Sequence, residues 1–210
     1  MTRVKICGIT NLDDAIAACH AGADALGFNF SDEAKRKGRY IDPRDAESIC
    51  KSLPPFVTKV AVAINPRPEQ VAEWLPFMDC VQLHGDETVD FCRQISAKLI
   101  KVFHAGPEFD PVGMLDYPVS AFLLDASVPG QRGGTGHTCD WDAASAAVAL
   151  GRPVILAGGL TPENVADSVR TVQPYAVDTA SGVESEPGKK DHGKLRDFVE
   201  RAKSAVLVSR

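Results

Sequence analysis

The chain has 210 residues, of which 44% are hydrophobic and 24% charged, and its formal net charge is −5. A chain of this length buries enough apolar surface to fold without disulfides or a metal, so we expect one soluble domain spanning residues 1–210. It has no apolar run of the roughly 18 residues that a membrane span needs. Its mild acidic balance argues against nucleic-acid binding, which would require a basic face. Residues 1–7 pass directly into a strand-like pattern without a secretion signal, which predicts a cytoplasmic protein.

The cysteines give no sign of a disulfide framework. They are scattered singly, at Cys7, Cys19, Cys50, Cys80, Cys92 and Cys139. They form no CxxC pair, and no Cys/His cluster has the spacing of a zinc site, so we expect neither disulfides nor a bound metal. The ordinary role of such cysteines is that of small buried apolar side chains. Cys7 is the exception that we single out, because it ends a predicted strand.

Short apolar strands alternate with helical patterns along the whole chain. In order, the predicted strands are residues 4–7, 25–30, 58–64, 80–84, 99–104, 121–125, 153–157 and 175–179. Capping residues and helical periodicity predict helix starts at Asn11, Asp42, Arg67, Asp86, Trp141, Thr161 and Asp191. After the fifth strand we expect only a short helix. The last helix is expected to span residues 191–206.

Eight strand–helix units in one chain indicate a parallel sheet. They close most simply into a single-domain (β/α)8 TIM barrel. The alternative is an open, doubly wound sheet, which is disfavoured because no GxGxxG motif follows the first strand.

The active site of a TIM barrel lies at the carboxyl ends of its strands, in the loops that follow them. The candidates at these positions are Cys7, residues 29–39, Asn65, His84, His104, Asp125, Gly158, Gly159 and residues 178–182. Glycines follow both strand seven and strand eight, where barrels commonly bind phosphate through backbone N–H groups. The two loops together therefore favour a phosphorylated ligand, although each alone is typical of a tight turn.

Cys7 and Asp125 form a candidate acid–base pair. Strands one and six are three strands apart around the predicted barrel, so the two side chains can reach one mouth from different sides. An ordinary thiol is only slightly ionised at neutral pH and needs a cation or backbone donors to act as a base. Such a pair above a phosphate site suggests proton transfer on a phosphosugar rather than hydrolysis. The alternative role for Asp125 is to cap the loop that follows it.

Motifs that run through nearly the whole chain carry a family resemblance. In order they are VKICGIT (4–10), GAD (22–24), GF (27–28), GRYI (38–41), VQLHG (81–85), LLD (123–125), GGTG (133–136), AGGLTPENV (157–165), SGVE (181–184) and PGKKD (187–191). In this combination the chain closely resembles the phosphoribosylanthranilate isomerase family of tryptophan biosynthesis.

The resemblance implies an Amadori rearrangement of N-(5′-phosphoribosyl)anthranilate, with Cys7 as general base and Asp125 as general acid. It implies that Arg39 meets the anthranilate carboxylate, as guanidinium groups grip carboxylates in bidentate fashion. The reaction requires no cofactor and no metal. We expect a small phosphosugar substrate, no nucleic-acid or membrane partner, and either a monomer or a homodimer.

The resemblance also assigns the phosphate to the loops that hold Gly158, Gly159, Ser181 and Gly182. Asp178 is left with two roles, a contact to the ribose hydroxyls or an interior ion pair with Lys5. Two further roles stay open. His84 lines the mouth with or without touching substrate, and residues 133–136 form either a flexible cover or a plain surface loop.

Two departures from the family pattern affect these assignments. The segment between Phe30 and Arg39 is longer than usual, so Arg36 is the alternative to Arg39, and Lys35, Arg36 and Lys37 are otherwise expected to be solvated. Thr179 and Ala180 stand where Val-Ser is more usual, which removes one hydroxyl near the phosphate.

Three rival functions remain open at this point. One is another phosphate-binding barrel, such as indole-glycerol phosphate synthase. That chemistry requires a lysine as general acid at a strand end, where this chain has Asp125. Another is a non-catalytic phosphosugar-binding protein, which should have lost the acid or the base. The last is a thiol-redox protein. Such a protein needs a second, resolving cysteine at CxxC spacing, and this chain has no CxxC pair.

Overall fold

Eight parallel strands close into a barrel in the computed structural model, which describes residues 1–105, 109–125 and 141–205. Each strand is hydrogen-bonded to the next, and β8 pairs with β1 to complete the ring. The strands are β1 (Arg3–Cys7), β2 (Ala25–Asn29), β3 (Thr58–Ala63), β4 (Cys80–Leu83), β5 (Leu99–His104), β6 (Ala121–Asp125), β7 (Val154–Ala157) and β8 (Ala176–Thr179). The predicted single-domain TIM barrel is confirmed, and the open doubly wound sheet is wrong.

Helices follow the strands on the outside of the barrel. They are α1 (Leu12–Ala21), α2 (Asp32–Arg36), α3 (Pro43–Lys51), α4 (Pro68–Trp74), α5 (Val89–Gln94), α6 (Trp141–Ala149), α7 (Val165–Val172) and α8 (His192–Ser204). Short 3-10 helices follow β5 at Val112–Asp116 and β8 at Ser181–Val183. Within the described residues, no helix is long and apolar enough to cross a membrane.

The caps explain where several helices start. Asn11 accepts a hydrogen bond from the Asp14 N–H at the start of α1, and Gly22 ends that helix with φ +92°. Asp42 caps α3 directly before Pro43, as predicted.

Two predicted helix starts are wrong by a few residues. The helix expected to start at Asp86 begins at Val89 with Thr88 as its cap, because the Glu87 carboxylate is held in a buried ion pair with Lys101. The helix expected to start at Thr161 begins at Val165, because Asn164 accepts from the Thr161 N–H and closes a turn first.

Alternate strand residues divide between two apolar layers. One face of each strand packs against the helices, and the other fills the barrel with residues such as Val60, Val62, Ile100 and Leu123. This is the pattern of a parallel sheet that is buried on both sides. Of the six cysteines, Cys80 and Cys92 are buried free thiols, Cys7, Cys19 and Cys50 are half-buried free thiols, and Cys139 lies outside the described residues.

A small hairpin that the sequence pattern did not predict follows β8. Its strands are β9 (Glu184–Glu186) and β10 (Lys189–Lys190), which pair antiparallel. Gly188 makes the turn at φ +80° and lies so close to the Gly38 carbonyl that no Cβ would fit. The Thr10 hydroxyl also donates to the Gly188 carbonyl at 2.5 Å. The hairpin thereby fastens the loops that follow β1 and β2.

Candidate active site

A cavity of about 270 Å³ opens at the carboxyl end of the barrel. It is lined by most of the predicted site residues, namely Cys7, Arg39, His84, Asp125, Gly158, Gly159, Asp178 and Ser181. Gly182 follows Ser181 directly but does not line the cavity itself. Asn65 and His104, which the strand ends also suggested, lie outside the lining. The fold therefore gathers residues from seven of the eight strands around one space, all but β5.

Cys7 ends β1 with its side chain half-buried in the cavity wall. Burial raises the pKa of its thiol, and the ammonium groups of Lys5 and Lys190 oppose this rise. The thiol has room because residue 27 on β2 is glycine, where a Cβ would come within 2.8 Å of the Cys7 Sγ and 3.2 Å of the Lys5 Nζ. Lys5, inside the barrel, thus supplies the cation that a thiol needs in order to act as a base.

Lys5 lies two residues before Cys7 and forms a buried ion pair with Asp178. Its Nζ is 2.8 Å from the Asp178 Oδ1, and the two side chains are only 3% and 9% exposed. The pairing of β1 with β8 sets Lys5 directly opposite Asp178. Burial alone would lower the pKa of Lys5, but the charges of Asp178 and Cys7 raise it, so Lys5 is a cation at neutral pH. Asp178 thus takes the ion-pair role that the sequence left open.

Gly27→Ala tests whether this crowded geometry matters. We expect the added Cβ to push the Cys7 thiol out of place and to lower kcat about tenfold or more, since a displacement of about 1 Å can cost 10²-fold in rate. Steady-state turnover and thermal melting of the variant check this. A folded Gly27→Ala protein with full turnover would contradict the placement of the thiol.

Asp125 reaches the cavity from another side. It ends β6 and pairs in register with His104 on β5 and Ala157 on β7. β6 lies three strands from β1 around the barrel. A ligand in the cavity therefore has a carboxylic acid and a thiol on different sides, which is the arrangement that proton transfer between two atoms of one substrate needs.

The glycine-rich loops after β7 and β8 touch each other. Gly158 and Gly159 both have positive φ, at +96° and +68°. Gly182 packs so tightly on the Leu160 carbonyl that no Cβ would fit. The Thr179 hydroxyl donates to the same carbonyl at 2.7 Å, which shows that this departure from the family pattern ties the two loops together. Backbone N–H groups in such loops suit an anion.

Arg39 lines the cavity and is held by a carboxylate that the sequence had not singled out. Its Nε donates to both oxygens of Glu184 at 2.9 and 3.0 Å, and its Nη2 donates to Oε2 at 2.6 Å. The Nη1 group takes no part in this pair. Arg36, the alternative, is exposed at the end of α2 and does not line the cavity. Lys37 reaches the rim of the cavity, but its side chain is exposed and pairs with Glu33 on α2, so it stays in contact with solvent as expected.

His84 lies on the cavity wall after β4. Burial lowers the pKa of its imidazole, and the nearby His104 lowers it further, so the ring is neutral at pH 7. The two rings are 5.7 Å apart. His84 thus offers a neutral hydrogen-bonding group to the cavity.

Two expectations concern a cover over the mouth and the absence of a metal. Residues 133–136, the expected cover, lie outside the described residues. Among the described residues, no group of three or more His, Cys, Asp or Glu side chains is arranged to hold a metal ion.

Glu184 belongs to the SGVE motif, but nothing in its spacing predicts a bond to Arg39, 145 residues away.

Comparisons with known proteins agree on one family. The sequence model of the N-(5′phosphoribosyl)anthranilate (PRA) isomerase family matches residues 4–201. The N-(5′-phosphoribosyl)anthranilate isomerase of Geobacter sulfurreducens is 50% identical over 207 residues, which cover 97% of this chain and 99% of that protein.

Solved structures give the same result. The phosphoribosyl anthranilate isomerase of Thermotoga maritima is 42% identical with a TM-score of 0.86, and the match covers 97% of this chain and 99% of that one. A phosphoribosyl anthranilate isomerase in complex with reduced 1-(o-carboxyphenylamino)-1-deoxyribulose 5-phosphate is 41% identical, with a TM-score of 0.82 and the same coverage. This chain is therefore an isomerase and belongs to the N-(5′-phosphoribosyl)anthranilate isomerase family.

Proposed function

We propose that the chain converts N-(5-phosphoribosyl)anthranilate to 1-(2-carboxyphenylamino)-1-deoxy-D-ribulose 5-phosphate by an Amadori rearrangement, as a step of tryptophan biosynthesis. The observation that carries the proposal is one cavity lined by a thiol, a carboxylic acid, an arginine and two glycine-rich loops. A relative that is 41% identical binds the reduced product in its crystal structure, which supports the same substrate class.

Asp125 supplies the acid step in this proposal. Its carboxyl proton goes to the furanose ring oxygen while the bond between that oxygen and C1′ breaks. The lone pair of the anthranilate nitrogen forms the double bond to C1′, which gives an open-chain Schiff base with a positive charge. General acid catalysis of this kind contributes roughly 10²–10⁴ in rate.

Cys7 supplies the base step. Its thiolate removes the proton from C2′, and the electrons of that C–H bond form a C1′–C2′ double bond and neutralise the iminium nitrogen. The enolamine then tautomerises to the ketone. Because the cationic Schiff base acidifies the C2′ proton, a thiolate is basic enough for the task. All the transfers are of protons within one substrate, so the reaction as proposed consumes no oxidant or reductant.

The remaining groups bind the two ends of the substrate. The backbone of Gly158, Gly159, Ser181 and Gly182 is proposed to hold the phosphate, and Arg39 is proposed to meet the carboxylate of the anthranilate ring. The side-on pair with Glu184 uses Nε and Nη2 of Arg39, so it fixes the plane of the guanidinium and leaves Nη1 out of the pair. Asp178 is proposed to act through its ion pair with Lys5, and a contact to the ribose hydroxyls stays a prediction.

Arg39→Ala separates the two arginine assignments. We expect its KM to rise at least tenfold with a smaller change in kcat, because a charge-assisted bond to the ground-state carboxylate is lost. Arg36→Ala, on exposed α2, is the matched control and should keep both constants. Steady-state kinetics decide between them, and a larger defect in Arg36→Ala would move the carboxylate contact to that residue.

The fluorescence of the anthranilate adduct provides the direct test. Purified protein should remove this fluorescence with saturation kinetics, and inorganic phosphate should inhibit competitively. The second candidate function is a phosphosugar-binding protein without turnover. It would bind the reduced product while leaving the fluorescence unchanged, and that result would overturn the proposal. The cytoplasmic location and the choice between monomer and homodimer stay predictions.

A further inference from the structure

A buried lysine that the mechanism does not use lies behind Cys7. Lys190 belongs to β10 of the hairpin, and its side chain is fully buried. Its Nζ is 2.7 Å from the Cys7 carbonyl oxygen, 3.2 Å from the Ala180 carbonyl oxygen and 3.1 Å from the Glu184 Oε1. An ammonium group has three protons to donate, and these three oxygens accept them. The set of acceptors identifies Lys190 as a cation.

These contacts join three parts of the site. Cys7 carries the thiol, and Ala180 directly precedes Ser181 in the loop proposed to hold the phosphate. Glu184 is the carboxylate that orients Arg39. Burial opposes ionisation of Glu184, but its hydrogen bond from Arg39 and the charge of Lys190 lower its pKa. One ammonium therefore connects the base, the phosphate loop and the arginine.

Lys190 is the third cation among the ion-paired groups beside Cys7. Lys5 lies on the same strand and is paired with Asp178 on β8. Arg39 lies in the loop after β2 and is paired with Glu184. Each of those cations is matched by a carboxylate, whereas Lys190 shares Glu184 with Arg39. Among these five groups, removing Lys190 would leave two cations, Lys5 and Arg39, and two carboxylates, Asp178 and Glu184.

We propose that Lys190 is a positioning residue, which fixes the Cys7 backbone against the phosphate loop and supplies the unmatched positive charge that favours the thiolate. Its effect on turnover rests on the function proposed above, whereas its effect on the thiol does not. Burial lowers the pKa of Lys190, and the charge and hydrogen bond of the Glu184 carboxylate oppose this.

Lys190→Met tests the proposal, and Lys101→Met is its matched control. Lys101 is also a buried lysine, with its Nζ 2.6 Å from the Gly85 carbonyl and 2.9 Å from the Glu87 Oε2. Both substitutions remove a paired ammonium of similar burial, but only Lys190 contacts Cys7. The rate of Cys7 alkylation by iodoacetamide is followed against pH by mass spectrometry of the Cys7 peptide.

We expect Lys190→Met to move the alkylation midpoint of Cys7 up by about half a pH unit or more, as loss of a nearby opposite charge does. Its kcat should fall about tenfold or more, and Lys101→Met should leave the midpoint unchanged. An unchanged midpoint in Lys190→Met, or an equal shift in both variants, would overturn the proposal.

A second variant keeps the test decisive if Lys190→Met does not fold. Glu184→Gln removes the counter-charge and should move the midpoint of Cys7 down, the opposite direction. A midpoint that stays or rises in folded Glu184→Gln would contradict the electrostatic role. Because alkylation needs no turnover, these outcomes hold even if the wild-type protein fails to consume the proposed substrate.

Discussion

Cys7→Ala and Asp125→Asn should each lower kcat by about 10²–10⁴ while the protein stays folded, which is the usual contribution of one general base or acid. Cys7 ends a strand with a half-buried thiol, so losing its sulfur removes little packing. Asn at 125 has the shape of Asp but carries no carboxyl proton. Steady-state turnover and thermal melting of both variants check this expectation.

The matched control for the thiol is Cys19→Ala. Cys19 is another half-buried free cysteine, on α1 and outside the cavity. It should keep the wild-type kcat, which would separate loss of the base from loss of any thiol. Near-wild-type kcat in folded Cys7→Ala or Asp125→Asn would show that the acid and base lie elsewhere.

Asp178→Asn should lower the free energy of unfolding by about 3–5 kcal/mol, because it leaves the buried charge of Lys5 without its counter-ion. Lys5→Met should cost a similar amount by leaving Asp178 uncompensated. Since the Asp178 charge raises the pKa of Lys5, this contribution is fully present at neutral pH and declines only as the pH rises beyond the ordinary lysine range. Urea unfolding at pH 7 measures the effect.

The double variant Lys5→Met with Asp178→Leu distinguishes stability from activity. Replacing both members of a buried pair with apolar groups is often neutral or stabilising, so much of the stability should return. The kcat should stay low, because the thiol has lost its nearest cation. Full activity in a stable double variant would mean that Lys5 does not assist Cys7.

The elements that the sequence predicted best are those with strong local signals. The strands are short, apolar and bounded by glycine, proline or polar residues. Their predicted ends therefore agree with the observed ends to within two residues. Because every parallel strand of the barrel ends on the same face, Cys7 and Asp125 follow from strand ends alone. The resemblance then supplied the roles that no periodicity encodes.

What the sequence missed depends on contacts between distant residues. α5 starts late because Lys101 holds Glu87, and spacing does not reveal a buried ion pair. The hairpin of β9 and β10 has only five residues in its strands, and it is stabilised by packing of Gly188 on Gly38 rather than by strand propensity.

The orientation of the site residues was equally hidden. Gly27 gives the thiol its space only because β2 lies beside β1, and Glu184 orients Arg39 only because the chain returns over the mouth after β8. Lys37 reaches the cavity rim from the end of α2 while its side chain stays exposed. Each of these roles belongs to the closed barrel and to no single motif.

The central claim is that Asp125 opens the ring and Cys7 then removes the C2′ proton. Substrate with deuterium at C2′ tests this order, because an isotope effect appears only where breaking of that bond limits the rate. In Cys7→Ala, proton removal should limit turnover and the full primary isotope effect on kcat should appear. In Asp125→Asn, ring opening should limit turnover and the isotope effect should fall close to one. The reverse order, or equal isotope effects in the two variants, would contradict the account.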